Sequence, residues 1–505
     1  MATRPSHDPG SAPPTAPVTG HPGYGLAGIL NRHPAVGLAL GVVRNGSLEC
    51  FYGHGLADIA SNTPIAEDTV FRVGSITKTF TAIAVMQLWE RGLVDLDAPA
   101  NDYLRAYRLV PAKAGFRPAT MRHLLTHTAG IPEVVRVSDL LHPGWGPFGG
   151  RPALHSVKAG EPMRPLAEYY RGGLRLVVEP GTAFAYSNHG FATLGQIVED
   201  VSGMPLARYL REHVFDPLGM ADTDLVRSGL VTSRLATGYV LGPRGARAVP
   251  DREWIGAGAG ATYSTTHDMA RFAAALLGGC ASDHGSLVQP ATLAAMFEPH
   301  HQPDPRLPGI GLAFFRGDAR GHRVVGHEGV LPGFNSQLLV APDDGVGVIA
   351  FTNGSSGAFV WLQTELGRLL RRLLGVPHEV VRTDLPHHPE VWADLCGGYR
   401  LPSRISDLRG RVGLGAGAQV LVRGGRLWVR VLTPVPALYR GLALYPDDEH
   451  DPYLFRLDLS KLGMSTVRVA FAREPGAGTT ALHADLQLQS LYKQPANRRS
   501  EDVKA

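Results

Sequence analysis

Cysteine is nearly absent from this 505-residue chain: Cys50, Cys280 and Cys396 stand far apart and form no C-x-x-C pair. That excludes a disulfide framework and a zinc knuckle. Lysine is almost as scarce, with Lys78, Lys113, Lys158, Lys461, Lys493 and Lys504 as its whole complement. The 49 basic residues, mostly dispersed arginines, face 45 acidic ones for a net charge of +4. So thin a surplus leaves no electrostatic footprint for nucleic acid, and none is expected as a partner. No uninterrupted apolar run is long enough to span a bilayer. The N-terminal stretch, rich in Pro, Ser, Thr and Gly, lacks the apolar core of a secretory signal, so the expected location is cytoplasmic.

Common hydrolase and cofactor signatures are missing too. There is no G-x-S-x-G elbow, which disfavours an α/β-hydrolase. There is no H-E-x-x-H either, because His327-Glu328 runs on into Gly329-Val330-Leu331. The pairs His300-His301 and His387-His388 lie in Pro-rich stretches without a matching ligand set, read as exposed loops, and no metal is expected. Gly256, Gly258 and Gly260 are spaced like a dinucleotide loop but lead into Thr262-Tyr263-Ser264-Thr265, outside any βαβ context. They read as a tight turn, and no cofactor is expected.

What is present is ample for folding, with 44% hydrophobic residues over a length that implies more than one core. Residues 1–22 read as a disordered tail. The apolar stretch 35–43 leads into Asn45-Gly46, a strong hairpin signal, and reads as a buried strand. Residues 75–91 carry helical spacing at Ile76, Phe80, Ile83 and Leu88, and Gly92 ends it. Further helices are expected at 191–202 and 267–277. Strands are expected at 334–340 and 346–351, joined by Asp343-Asp344-Gly345, and an amphipathic helix at 357–374. Together these predict one α+β domain over 23–378, whose sheet joins sequence-distant strands. A linker at 379–390 contains the break Pro386-His387-His388-Pro389. Beyond it, short strands at 420–422, 427–432, 442–445, 453–457, 467–471 and 482–491 predict an all-β barrel or sandwich over 391–494. A polar tail closes the chain at 495–505.

The chemistry concentrates in three short segments. In Ser75-Ile76-Thr77-Lys78 the lysine lies one turn beyond the serine, on the same helix face. A serine hydroxyl is a poor nucleophile without a base, and a lysine serves where its amine is kept neutral. The spacing alone is weak, since Ser490-Leu491-Tyr492-Lys493 repeats it on an expected strand. Tyr186-Ser187-Asn188 follows a turn at Glu179-Pro180-Gly181-Thr182 and can offer a phenol and an amide to one spot. His327-Glu328-Gly329 opens an expected strand, where the glycine lets a substrate backbone lie close.

In this order and context the three segments resemble the serine β-lactamase and penicillin-binding protein superfamily. The likeness is closest to its class C β-lactamase, DD-peptidase, esterase and D-aminopeptidase branch, whose S-x-x-K, Y-x-N and K-T-G or H-x-G slots are all filled. Phe71-Arg72-Val73-Gly74, the run His123 to Ile131, Phe215-Asp216-Pro217-Leu218-Gly219-Met220 and the run Ser264 to Ala270 belong to the same resemblance. It implies a β-lactamase/DD-peptidase-like domain, an antiparallel sheet flanked by helices plus a helical region, and more loosely a lipocalin-like barrel after it. It also implies a serine hydrolase that cleaves an ester or amide through an acyl-enzyme. Ser75 would be acylated, with Lys78 and Tyr186 sharing the general-base role as a coupled pair. Asn188 would hold Lys78 and the substrate amide, His327, Glu328 and Gly329 would line the substrate strand, and the N–H groups of Ser75 and Val330 would form the oxyanion hole. The partner implied is a small-molecule or peptide substrate. The alternative is a penicillin-binding sensor of the same fold that does not turn over. The chain departs from the class C pattern in having no K-T-G, which disfavours β-lactam turnover as its main activity. Where a relative would donate a hydroxyl to a substrate carboxylate, Glu328 brings a negative charge if it points inward and a surface charge if it points outward.

Overall fold

Strand Gly37–Arg44 sends Leu38, Leu40 and Val42 to one apolar cluster and Ala39 and Val43 to another, so it is buried on both faces. Such a strand belongs at the centre of a sheet with helices on either side. In the computed structural model, which describes residues 27–133, 156–278, 287–401, 415–433, 435–476, 478–486 and 488–495, it does. The sheet has seven strands, in the order Phe315–Ala319, His322–Leu331, Phe334–Ala341, Val346–Thr352, Gly37–Arg44, Ser47–Asp58 and Thr63–Pro64. Its pairings are antiparallel, and the central one joins the two ends of the domain, with Leu38 opposite Thr352 and Arg44 opposite Val346. The turn at Asn45-Gly46 links Gly37–Arg44 to Ser47–Asp58, both residues at positive φ.

Helix Ala358–Leu373 covers one face with Trp361, Leu362, Leu366, Leu369 and Leu370. The other face meets helix Thr266–Leu276, whose Phe272 packs on Phe80 of the central helix Thr77–Glu90, a helix buried without a break from Thr77 to Met86. A helix enclosed on all sides is held by its neighbours and not by one amphipathic stripe. Phe80 is clamped by Phe215 and Phe272, with ring centres 5.2 and 4.3 Å away.

A second sheet of nine strands is formed from Gly397–Arg400 and the strands between Ala418 and Lys493. Its edge strands, Leu442–Ala443 and Tyr445–Pro446, are separated in sequence by Leu444 alone, so the sheet nearly closes on itself. Tyr399, Val420, Leu427, Phe455, Val469, Phe471 and Leu482 form a core of its own. It is tied to the first unit. Arg306 reaches Asp451 at 2.9 Å and the Phe471 carbonyl at 2.9 Å, and Leu307 is buried with Leu454 and Ala470. Glu379 pairs with Arg371 on one side and with Arg456 at 3.0 Å on the other, so this end of the expected linker is pinned.

Several expectations need correction. The stretch 482–491 is two strands, Gly478–Ala484 and Gln489–Lys493, reversed by a turn whose Leu488 adopts positive φ. His327 does not open its strand but lies in the second half of the ten-residue His322–Leu331. The run 257–260 is a helical turn and not a simple tight turn, and a Cβ at Gly258 would stand 2.9 Å from the Phe191 carbonyl oxygen, so glycine is what permits its packing on that helix. His300 and His301 are half-buried, not exposed; His300 meets Arg122 at 2.7 Å, and burial holds both imidazoles below their usual pKa. Residues 1–22 and 496–505, expected as tails, lie outside the described residues.

Candidate active site

Ser75 sits in a single 3₁₀ turn, Gly74–Ile76, that feeds the buried helix Thr77–Glu90. Between residues 71 and 80 it alone is not fully buried, so the chain opens toward solvent at the hydroxyl. Gly74 has φ of +55°, and a Cβ there would come within 3.0 Å of the Val330 amide nitrogen. The backbone before the serine therefore presses directly on the strand His322–Leu331. From the other side, a Cβ at Gly329 would meet the Val73 carbonyl oxygen at 2.0 Å and Ser336 Oγ at 2.2 Å. The room left by Gly329 is thus taken by the protein's own chain, where a substrate backbone was expected. Ser336 Oγ donates to that same carbonyl at 2.7 Å. These contacts set the turn that carries Ser75 directly against Gly329 and Val330.

Lys78, one turn after Ser75, has no exposed surface. Its Nζ lies 3.0 Å from Ser75 Oγ and donates to Asn188 Oδ1 and to the Ala259 carbonyl, each at 2.7 Å. The acceptor Ala259 comes from the glycine-rich turn at 257–260, which the letters gave no reason to link to a lysine. Its approach depends on Gly258, as described above, and on Thr81 Oγ donating to the Gly258 carbonyl at 2.8 Å.

Tyr186 is 3% exposed and its ring centre is 4.9 Å from Lys78 Nζ. It stacks on His127 with centroids 4.2 Å apart, and His127 Nδ1 accepts from the Ser187 amide at 3.1 Å. His127 has positive φ, which turns the chain so that ring and loop meet. Ser187 caps helix Asn188–Ser202 by accepting from the Gly190 amide. Asn188 is therefore the first residue of a helix, and this fixes its side chain beside Lys78. Its Nδ2 donates to Glu133 Oε1 at 2.7 Å and its backbone N–H to Glu133 Oε2 at 3.1 Å.

His327 is 1% exposed, its ring 5.3 Å from Phe315 and 6.2 Å from Tyr186 between centroids. Glu328 is half-buried and alternates with the buried His327 and Gly329. A small apolar cluster backs the tyrosine, formed by Phe184, Tyr186, Ile310 and Leu488, with Phe315 against it. Leu488 comes from the turn just before Gln489–Lys493, a strand of the nine-stranded sheet. The structure thus gathers Ser75, Lys78, Tyr186, Asn188, His327, Gly329 and Val330 at one place. It adds Glu133, Ala259, His127 and Leu488, which sequence reasoning did not single out. His127 lies within the run His123 to Ile131, but the others carry no local signal. Among the described residues, no group of three or more His, Cys, Asp and Glu side chains is placed to hold a metal, and no helix is long and apolar enough to cross a membrane.

A serine and a lysine one turn apart, set against an antiparallel sheet, are the arrangement of a serine hydrolase of the β-lactamase fold. The beta-lactamase family model matches residues 26–369, and the chain belongs to that family. It is 23% identical over 429 residues to penicillin-binding protein 4* of Bacillus subtilis, covering 80% of this chain and 84% of that one. It is 34% identical to esterase EstB of Burkholderia gladioli over 39% of this chain, and 28% identical to a D-aminopeptidase of Gluconobacter oxydans over 70%. The matched part spans 49% of the esterase and 61% of the D-aminopeptidase. Among solved structures, the octameric penicillin-binding protein homologue from Pyrococcus abyssi superposes with a TM-score of 0.58 at 22% identity, over 93% of this chain and 98% of that one.

Proposed function

We propose that this protein hydrolyses a small ester or amide through an acyl-enzyme on Ser75. The observation that carries the reading is the three-point setting of Lys78 Nζ. Nζ donates to Asn188 Oδ1, to the Ala259 carbonyl and to Ser75 Oγ, so that once the proton facing Oγ is lost its lone pair points at the serine hydroxyl. A neutral amine held this way is aimed at the serine proton.

As Oγ bonds to the substrate carbonyl carbon, its proton passes to Lys78 and the C=O electron pair moves onto oxygen. The N–H groups of Ser75 and Val330 receive that oxyanion. The C–O or C–N bond then breaks, and the leaving group takes a proton from the Lys78–Tyr186 pair. Water repeats the sequence on the acyl-enzyme and frees the acid and Ser75. Tyr186, over the lysine and buried against His127, suits the deprotonation of that water. His327, Glu328 and Gly329 contribute the substrate-side strand.

The relatives named esterase and D-aminopeptidase support a neutral ester, or an amide bearing a free amine, as substrate. Residues 23–378 form the catalytic domain in this reading, and 391–494 an accessory domain bearing on access. Labelling with a fluorophosphonate and hydrolysis of p-nitrophenyl butyrate test it. Wild type should be labelled at Ser75 and turn the ester over, and Ser75→Ala should do neither. No labelling overturns the reading; labelling without turnover of any ester, amide or lactam marks a sensor instead.

A further inference from the structure

Glu133 is a buried carboxylate, 6% exposed, with no part in the reaction as written above. Both of its oxygens accept from one residue, Asn188: Oε1 from the side-chain Nδ2 and Oε2 from the backbone N–H. Its carbonyl oxygen lies 3.1 Å from His189 Nε2, and His189 Nδ1 lies 2.6 Å from the Tyr170 hydroxyl. Glu133 is therefore seated on the first turn of helix Asn188–Ser202 by backbone and side chain together. Burying a carboxylate is costly unless it is satisfied, and here the groups satisfying it include the amide that holds the lysine.

We propose that Glu133 is a positioning residue for the Ser75–Lys78 pair, acting through Asn188; the proposal rests on the hydrolase reading above. An asparagine side chain has an acceptor end and a donor end, and rotation by half a turn exchanges them. The acceptor end must face Lys78, because the donor end would set N–H against N–H. A carboxylate has only acceptors, so Glu133 draws the donor end to itself and leaves Oδ1 for Lys78. Holding the backbone N–H as well fixes the helix end from which that side chain projects. The carboxylate also places a negative charge two hydrogen bonds from Nζ, which favours the ammonium and sets the pH at which Lys78 becomes a base.

Glu133→Gln is nearly the same size but offers one acceptor where two are used. It should lower kcat/KM on p-nitrophenyl butyrate roughly tenfold to a hundredfold, the scale of small misplacement at a reacting centre. The loss should fall in kcat, with KM nearly unchanged. The acid limb of the pH profile should move to lower pH, since removing the charge disfavours the ammonium. Glu133→Asp keeps the charge and should keep the limb, while losing severalfold in kcat. In an Asn188→Ala background, Glu133→Gln should lower kcat by much less than it does in the wild type, because the side-chain route to Lys78 is gone. Folding of each variant is checked by thermal melting. A folded Glu133→Gln with wild-type turnover and limb, or a loss that simply adds to that of Asn188→Ala, overturns the relay. If Glu133→Gln does not fold, Glu133→Asp decides, and wild-type turnover there overturns it equally. Fluorophosphonate labelling of the wild type separates the two readings: without labelling the hydrolase reading itself falls, and with it an indifferent Glu133 removes the relay alone.

Discussion

Leu488 and Tyr186 are buried in one small apolar cluster, although the first belongs to the turn just before Gln489–Lys493 of the nine-stranded sheet and the second to the loop before helix Asn188–Ser202. The candidate site is thus backed by both units, and the backing is made by a turn whose leucine holds positive φ. Leu488→Ala should therefore change selectivity. The ranking of p-nitrophenyl esters of increasing acyl length should shift, with the rate of fluorophosphonate labelling nearly unchanged. Loss of the buried side chain should also destabilise the protein by about 2 kcal/mol, the low end for Leu→Ala. An unchanged ranking would show that the second sheet has no part in selecting the acyl group. Ending the chain near residue 380 should produce the same shift and a less soluble protein, because Leu307 and Ile310 lose their cover.

Lys78→Ala should lower Ser75 acylation at neutral pH by about a thousandfold or more, as removal of a base does in other serine hydrolases. Lys493→Ala should leave acylation unchanged, since Lys493 is bound to the Asp394 carbonyl on the far sheet. Activity-based labelling followed in time reads both. Should the two variants exchange these outcomes, the assignment of the site is wrong.

Glu328 lies on the same strand face as Val330, about 7 Å along the strand. A substrate carboxylate brought within about 4 Å of it would meet a repulsion of several kcal/mol at an effective dielectric of about 20. A D-alanyl-D-alanine peptide and nitrocefin should therefore be poorer substrates than the peptide methyl ester and p-nitrophenyl butyrate. Glu328→Thr should move the ratio toward the acids. A wild type that already prefers the free acid, or a ratio untouched by the substitution, would remove Glu328 from substrate selection.

His483, on the second sheet, and His301, on the first unit, are both held below the usual imidazole pKa, chiefly by burial and also, for His301, by the nearby His483. A group whose folded pKa is depressed binds fewer protons folded than unfolded. Its stabilising share is complete above the unfolded value and is lost as pH falls through the folded one. Thermal stability should thus decline as pH drops below about 6.5, the unfolded imidazole value. His483→Gln should flatten that decline. An equally steep fall in the variant would place the acid sensitivity elsewhere.

The sheet, the central helix and the turn at Asn45-Gly46 were legible because hydrophobic periodicity and turn chemistry are local. That Ser75, Lys78, Tyr186, Asn188 and the segment 327–330 lie together was foreshadowed by short motifs whose order resembles one family. The strand 482–491 was misread for the same reason. Nothing local marks a reversal at Leu488, which has positive φ and is buried in the small cluster with Phe184, Tyr186 and Ile310.

The sequence by itself marked most of the elements and singled out the Ser75–Lys78 pair, since three residues along a helix bring two side chains to one face. Only the tertiary structure decided what holds that lysine. Ala259 acts through a carbonyl, which every residue has, and Glu133 acts through a helix end far along the chain. Leu488 acts through packing across two sheets. Backbone acceptors, buried carboxylates and apolar contacts are indifferent to motif spelling. They become specific only when the folded chain brings them within about 3 to 4 Å of a partner, where hydrogen bonds and dispersion act.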